Sequence, residues 1–206
     1  MDQLTDKQRV PTEDSILRSM FAARKQVFVD LLKWDVPVIG GRYEIDQFDD
    51  GHAAYIVLTD SEGGHLGSAR LLPTLRPHLL DTLFSTLCAE APPRDVCIWE
   101  ITRFCLDRSL TAVERRAVRD ALVTGLVDHA LAQGIRSYLA VAEIGWLQQI
   151  LAFGWRCRPL GLPQTIDGTM LGALRIEIGS DTPQLLAAAG VIRPAAGATR
   201  ALRLAA

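Results

Sequence analysis

The chain has 206 residues, of which 49% are hydrophobic and 22% charged, with a formal net charge of −2. That length can bury a sizeable core without metals or disulfides, and the near-neutral balance gives no whole-chain attraction for nucleic acid. No run of about 18 uncharged apolar residues occurs, and "MDQLTDKQRV" lacks the pattern of a secretory leader, so a cytoplasmic protein with no membrane contact is expected.

Four cysteines show no CxxC spacing and the four histidines are scattered. Buried free thiols are therefore expected, with neither a zinc site nor a disulfide framework. In chain order, apolar residues from Glu13 to Leu32 recur at helical spacing in one or two pieces, and Pro37 with Gly40-Gly41 ends that region. "AAYIVLTD" and "HLGSARLLPT" read as two strands joined through the turn "SEGG". A short helix is predicted over Leu79–Leu87, followed by a central strand in the β-branched and aromatic "CIWEITRFCLD". Thr111–Gln133 carries a helical stripe stopped by Gly134. A buried strand "IRSYLAVA", a helix "GWLQQILAFG", a strand "GTMLGALRIEI" and the short "TPQLLAAAG" follow. The terminal "RPAAGATRALRLAA" is expected to be loose or to form a short helix.

This order predicts one α+β domain over residues 1–206, tending to a three-layer α/β arrangement, with a mixed central sheet flanked by helices. The order resembles the GNAT acyltransferase architecture. GNAT enzymes hold coenzyme A pyrophosphate on a Q/R-x-x-G-x-G/A loop opening the long helix, and the corresponding "LDRSLTAVERRAV" has no such glycines. An ordinary acetyl-coenzyme A enzyme is therefore not implied.

The polar residues are more specific. Arg24, Phe28 and Trp34 are followed by Glu44, Asp46 and Asp49 in "YEIDQFDD", by Arg70 in "RLLPT", by Phe84, and by Glu100 and Arg103 in "WEITR". These ten positions, in this order, resemble the LuxI-type acyl-homoserine-lactone synthases, and "AFGW" at Ala152–Trp155 resembles a later segment of that family. The resemblance implies S-adenosylmethionine and an acyl thioester as substrates, N-acyl-homoserine lactone and methylthioadenosine as products, and no cofactor. It also implies a donor carried by acyl carrier protein or, in a minority, by coenzyme A. S-adenosylmethionine carries an ammonium, a sulfonium and a carboxylate, so its pocket calls for acids, aromatic faces and an arginine together.

On that basis Asp46 and Asp49 are expected to hold the cationic end of the substrate, with Glu44 buttressing an arginine. Arg24, Phe28 and Trp34 would line or close the pocket. Arg70 reads equally as a substrate ligand or as a scaffold ion pair with Asp46 or Glu44, and Phe84 as a pocket wall or as plain core. Glu100, on an otherwise apolar strand, suits the base that takes the proton from the attacking amine; the alternative is a structural pair with Arg103. Thr102 would help position the oxyanion. The odd spacing of Glu100 and Arg103 would aim their side chains at opposite faces of a regular strand, so a bulge or splay is predicted between Glu100 and Phe104. Arg115, Arg116, Arg119, Arg156 and Arg158 are candidates for docking an acidic carrier. The family's acyl pocket maps onto Thr102, Val141 and Ala142. No threonine lies near Ala142 to bond a 3-oxo group, so an unsubstituted acyl chain is expected.

Overall fold

The computed structural model describes residues 11–193 and the backbone of residues 199–203. Helix α1 (Glu13–Arg24) starts where the Thr12 hydroxyl accepts the Ser15 N–H, and Glu13 and Asp14 sit favourably in its first turn. Its buried stripe of Ile16, Leu17, Met20 and Phe21 packs on the sheet. The helix then widens into a π-helical stretch, Lys25–Leu31, that carries Phe28 inward. Lys33, at φ 60°, ends it.

Two very short strands, β1 (Val38–Ile39) and β2 (Tyr43–Glu44), pair antiparallel around Gly40 and Gly41. Both glycines have positive φ, the reason this tight reversal uses them. The hairpin delivers Glu44, and the following turn is closed on itself. Its Asp49 N–H donates to the Asp46 carbonyl at 3.0 Å, and the Asp46 carboxylate accepts the Phe48 N–H at 2.9 Å.

The main sheet contains β3 (Ala54–Thr59), β4 (His65–Pro73), β5 (Ile98–Leu106), β6 (Ser137–Glu143), β7 (Arg156–Pro159), β8 (Gln164–Ile166), β9 (Thr169–Glu177) and β10 (Thr199–Arg203). Its order is β10-β3-β4-β5-β6-β9-β7, with β8 also on β9. Among the described residues only β5 and β6 run parallel, as the crossover helix α3 (Ala112–Gln133) between them requires. That helix opens with a capping box between Thr111 and Glu114 and stops at Gly134, whose φ of 70° suits glycine.

One face of the sheet, through Ala54, Ile56, Leu71, Ile101 and Tyr138, packs on α3, α4 (Ile144–Ala152) and α5 (Thr182–Ala188). The other face packs Tyr55, Val57 and Leu72 under α1. It also packs Ile98 and Leu139 under α2 (Leu79–Thr82) and the 3-10 turn Ser85–Leu87. Burial on both faces explains why β3 is apolar at nearly every position.

The mixed α+β sheet flanked by helices agrees with the sequence reading, and so does the interrupted central strand. Ser68 pairs with Cys105 but Arg70 pairs with Thr102, so Ala69 faces two residues, Arg103 and Phe104. Arg103 takes up the extra residue at φ 51°. The bulge restores parity. Trp99, Ile101, Phe104 and Leu106 pack toward α3, while Glu100, Thr102 and Arg103 all meet partners on the α1–α2 side. The ladder between β5 and β6 stops at Ile101 opposite Ala140, although β6 continues to Glu143 along β9. The two parallel strands therefore splay, and Phe104 and Trp146 meet beyond the opening with centroids 5.0 Å apart.

Several expectations are corrected. Residues 199–203 form an edge strand on β3 where a loose tail or short helix was expected; residues 194–198 and 204–206 lie outside the described residues. The predicted Leu79–Leu87 helix breaks at Leu83–Phe84 into α2 and a 3-10 turn. Strands β7 and β8 were not anticipated, being short, mostly exposed and close to prolines. Of the four free thiols only Cys105 is fully buried.

Candidate active site

Six charged side chains from four separate segments meet between α1 and the bulged part of β5. Arg24, from the end of α1, donates through Nε to Glu44 and through both terminal nitrogens to Asp49 at 2.8 Å. Arg70, from β4, donates to both oxygens of Asp46 at 2.6 and 3.1 Å and through Nε to Thr102 Oγ1 at 2.9 Å. Its Nη1 also lies 2.9 Å from Asp49. Arg103 donates to Glu44 Oε1 at 2.9 and 3.1 Å and to Asp46 Oδ2 at 2.7 Å. The Tyr55 hydroxyl donates to Asp49 at 2.8 Å.

Three guanidinium groups thus face three carboxylates, all nearly out of solvent: the side chains of Arg70, Glu44 and Asp49 are 0% exposed and Arg24 1%, against 6% for Asp46 and 7% for Arg103. Charges can be buried this deeply only when each is paired and hydrogen-bonded. Burial alone would raise the Asp49 pKa, but the Arg24 hydrogen bonds and the Arg70 and Arg24 charges overcome it and hold the group well below the usual carboxylate range. Burial likewise works against the Arg24 cation, and Asp49 and then Glu44 more than restore it. The Tyr55 hydroxyl is pushed up, first by burial and then by the Asp49 charge, so it remains a donor.

Aromatic rings close the outer side. Phe28 and Trp34 stack at 4.8 Å with 20° between their planes. The Arg103 guanidinium lies 5.5 Å from the Phe28 centroid and 5.7 Å from that of Trp34, within cation–π range. Phe28 is buried, whereas Trp34 remains 38% exposed.

Glu100 stands apart from this balanced network. Its carboxylate is wholly buried and accepts the Leu79 and Leu80 N–H groups at 2.8 and 2.9 Å. Among the described residues it has no ion pair, so the alternative of a pair with Arg103 is not what the structure contains. Burial raises its pKa to about 7, against the two N–H bonds and the Arg70 charge, which lower it. A carboxyl poised near neutrality suits proton transfer.

The remaining sequence candidates divide. Arg70 is ion-paired with Asp46 and lies beside Asp49, not Glu44, the kind of contact expected of a scaffold pair. Phe84 is half-buried against the Leu80–Leu87 cluster together with Val141, on the Glu100 face of the sheet. Ala142 packs in the core on the opposite face. Of the basic candidates, Arg156 pairs with Asp181, Arg158 with Glu177 and Arg119 with Asp120, and Arg115 donates to the Asp107 carbonyl. Among the described residues, Arg115 and Arg116 have no acid partner. Tyr55 went unrecognised in the sequence because it sits inside an apolar strand. Its place directly opposite Arg70 in the β3–β4 register is what makes it part of the site.

The autoinducer synthase family model matches residues 8–184. An acyl-homoserine-lactone synthase from Ralstonia nicotianae is 33% identical over 165 residues, covering 77% of this chain and 80% of that protein. Among solved structures, the coenzyme A-dependent acyl-homoserine lactone synthase MesI superposes with a TM-score of 0.78 at 30% identity, covering 88% of this chain and 91% of its own. BjaI, another coenzyme A-dependent synthase, solved with S-adenosylmethionine and isopentyl-coenzyme A, also gives 0.78 at 28% identity, with 89% and 85% covered. A Lactobacillus plantarum protein assigned as an N-acetyltransferase shares the fold, with a TM-score of 0.54 at 14% identity over 82% of this chain and 94% of its own. By family model and by identity over most of its length, the chain belongs to the autoinducer synthase family, the acyl-homoserine-lactone synthases, acyltransferases built on a GNAT-like fold.

Proposed function

We propose that this chain joins an acyl thioester to S-adenosylmethionine, releasing methylthioadenosine and an N-acyl-homoserine lactone, a quorum-sensing signal. The observation that carries the reading is the pairing, on one bulged strand, of an unpaired buried carboxyl poised near neutrality with a closed arginine–carboxylate cluster under two stacked aromatics. The cluster supplies what a substrate with two cationic centres and one carboxylate needs. Arg24, Phe28, Trp34, Glu44, Asp46, Asp49, Arg70 and Arg103 form that pocket.

Glu100 takes a proton from the substrate ammonium. The freed amine adds to the thioester carbonyl, and collapse of the tetrahedral intermediate expels the thiol. Backbone groups of β5 beyond Ile101, released from the ladder where β6 diverges, are available to the oxyanion, with Thr102 beside them. In the second step the substrate carboxylate attacks its own γ-carbon, and methylthioadenosine leaves as the carbon–sulfur bond breaks. A pocket that holds the folded conformer is sufficient for this, because the reaction is intramolecular.

Both acyl carrier protein and coenzyme A present the same thioester to this site. The solved neighbours MesI and BjaI are coenzyme A-dependent. Acids of this chain neutralise most of the arginines that would dock an acidic carrier. No helix among the described residues is long and apolar enough to cross a membrane, and the substrates are those of the cytoplasm.

Asp46→Asn preserves shape but removes a charge that Arg70 and Arg103 share. Hydrogen bonds to charged groups contribute about 1.5–3 kcal/mol, so kcat/KM should fall roughly ten- to a hundredfold or more while the circular dichroism spectrum stays native. Wild-type turnover in this variant would remove the acidic cluster from the site.

The acyl chain is proposed to be unsubstituted. Val141, on the face of Phe84 and Glu100, and Ala142 both lack a hydrogen-bond donor in their side chains, and a buried 3-oxo group without a donor loses roughly 1–3 kcal/mol. Competition between equal-length donors should favour the unsubstituted one. Val141→Thr should shift the ratio toward 3-oxo more than Ala142→Thr, because Ala142 faces the other side of the sheet. A preference for 3-oxo in the wild type would overturn this.

A further inference from the structure

The charge balance of the cluster poses a problem for a cationic ligand. Glu44, Asp46 and Asp49 are saturated by Arg24, Arg70 and Arg103, so no acid is left to face a sulfonium. One of the three arginines must yield. Arg24 and Arg70 are each clamped to both oxygens of one carboxylate and bonded to a further side chain as well. Arg103 is clamped to neither of its acids in that way, and it shares one oxygen of Glu44 and one of Asp46. It is also the most exposed of the three, at 7%.

The surroundings of the Arg103 guanidinium are those of a cation receptor. Two carboxylate oxygens lie within 2.9 Å of Nη2, and the stacked Phe28 and Trp34 rings flank it. Arg103 sits at φ 51° on the bulge, a conformation that surrounding contacts must hold in place. The aromatic wall is carried by the π-helical stretch, with Phe28 at its middle, and by the turn beyond it, where Trp34 follows Lys33 at φ 60°. The part that would have to open is therefore the least regular in the site.

Resting on the reading that S-adenosylmethionine binds here, we infer that Arg103 is a resident surrogate for its sulfonium. The sulfonium takes the guanidinium's place between Glu44, Asp46 and the two rings, and the displaced Arg103 turns to the substrate carboxylate. Charge is conserved at the acids, since one cation leaves as another arrives, and the freed guanidinium meets the only anion the ligand carries; the substrate ammonium stands outside the exchange and gives its proton to Glu100. A ligand with the sulfonium but no carboxylate must expel Arg103 and offers it nothing in return. Discrimination for the amino-acid end of the substrate follows directly.

Calorimetric titration of S-adenosylmethionine and of decarboxylated S-adenosylmethionine into wild-type protein and Arg103→Met tests this. The variant should bind S-adenosylmethionine about tenfold or more weaker, having lost the carboxylate partner, and the decarboxylated ligand about fivefold or more tighter, because the cradle stands open. Weakened or unchanged binding of the decarboxylated ligand would overturn the inference. Should Arg103→Met fail to fold, Arg103→Lys carries the same test. Lysine keeps the charge but cannot bridge two acids in a planar fork, so the decarboxylated ligand should again tighten, by less, and parallel loss of both ligands would overturn the proposal. Absence of S-adenosylmethionine binding to the wild type would instead refute the reading of the site itself.

Discussion

Replacing Glu100 with glutamine should lower kcat by about 10²–10⁴-fold, the usual contribution of a positioned general base, while leaving the affinity for S-adenosylmethionine nearly unchanged. Glutamine keeps the volume of the side chain and an oxygen for the Leu79 or Leu80 N–H, but it cannot accept the ammonium proton. The pH profile makes the assignment specific. With its pKa raised to about 7 by burial, Glu100 becomes a base only as pH rises through neutrality, so wild-type kcat/KM should climb through that region and the residual rate of Glu100→Gln should not. The same shift has a consequence for stability. Between its ordinary value of 4.5 and about 7 the folded chain holds a proton that the unfolded chain has released, so this group's contribution to stability declines as pH rises across that window. Glu100→Gln should abolish that slope in calorimetric melts, and an unaltered slope would place the buried proton elsewhere.

Asp49→Ala should be the most destabilising single change in the site. It strips Arg24 of both terminal contacts, Arg70 of one and Tyr55 of its acceptor, leaving excess positive charge where no water reaches. Breaking a buried pair from one side costs about 3–5 kcal/mol, which for a chain of this length lowers Tm by on the order of 10 °C. The Asp49 pKa lies below its ordinary value of 3.8, so its stabilisation is complete above that value and disappears as pH falls through the lower, folded-state value. The deficit of Asp49→Ala relative to wild type should therefore persist at neutral pH and narrow only in strong acid. Equal melting temperatures at pH 7 would show that the cluster contributes nothing to the fold.

Elements whose periodicity reports burial were legible without coordinates. The α1 and α3 stripes, the β3–β4 hairpin and the central strand follow from spacing and turn residues, because hydrophobic period and secondary structure are physically linked. The bulge was legible for a subtler reason: Glu100 and Arg103 could not share a face of a regular strand, and Arg103 at φ 51° is the solution the chain adopts. Strands β7, β8 and β10 were not legible. β7 and β8 are mostly exposed and held by pairing with β9 rather than by a buried face of their own, and β10 is recognised by its pairing with β3; pairing leaves little trace in composition. At the site, eight of the ten family-like positions meet in the arginine–carboxylate cluster and its aromatic wall, but the sequence did not show which partners they take. Asp46 and Asp49 were expected to face the substrate, yet arginines hold both, since long-range contacts between segments tens of residues apart have no local signature. Tyr55 escaped for the same reason.

Incubating the purified protein with S-adenosylmethionine and a series of acyl-coenzyme A and acyl-carrier thioesters, and quantifying the products by mass spectrometry, tests the central claim most directly. Methylthioadenosine and N-acyl-homoserine lactone should appear in equal amounts with at least one donor. Acyl transfer without methylthioadenosine, or to an amine other than that of S-adenosylmethionine, would contradict it and identify a GNAT-like acyltransferase of a different kind.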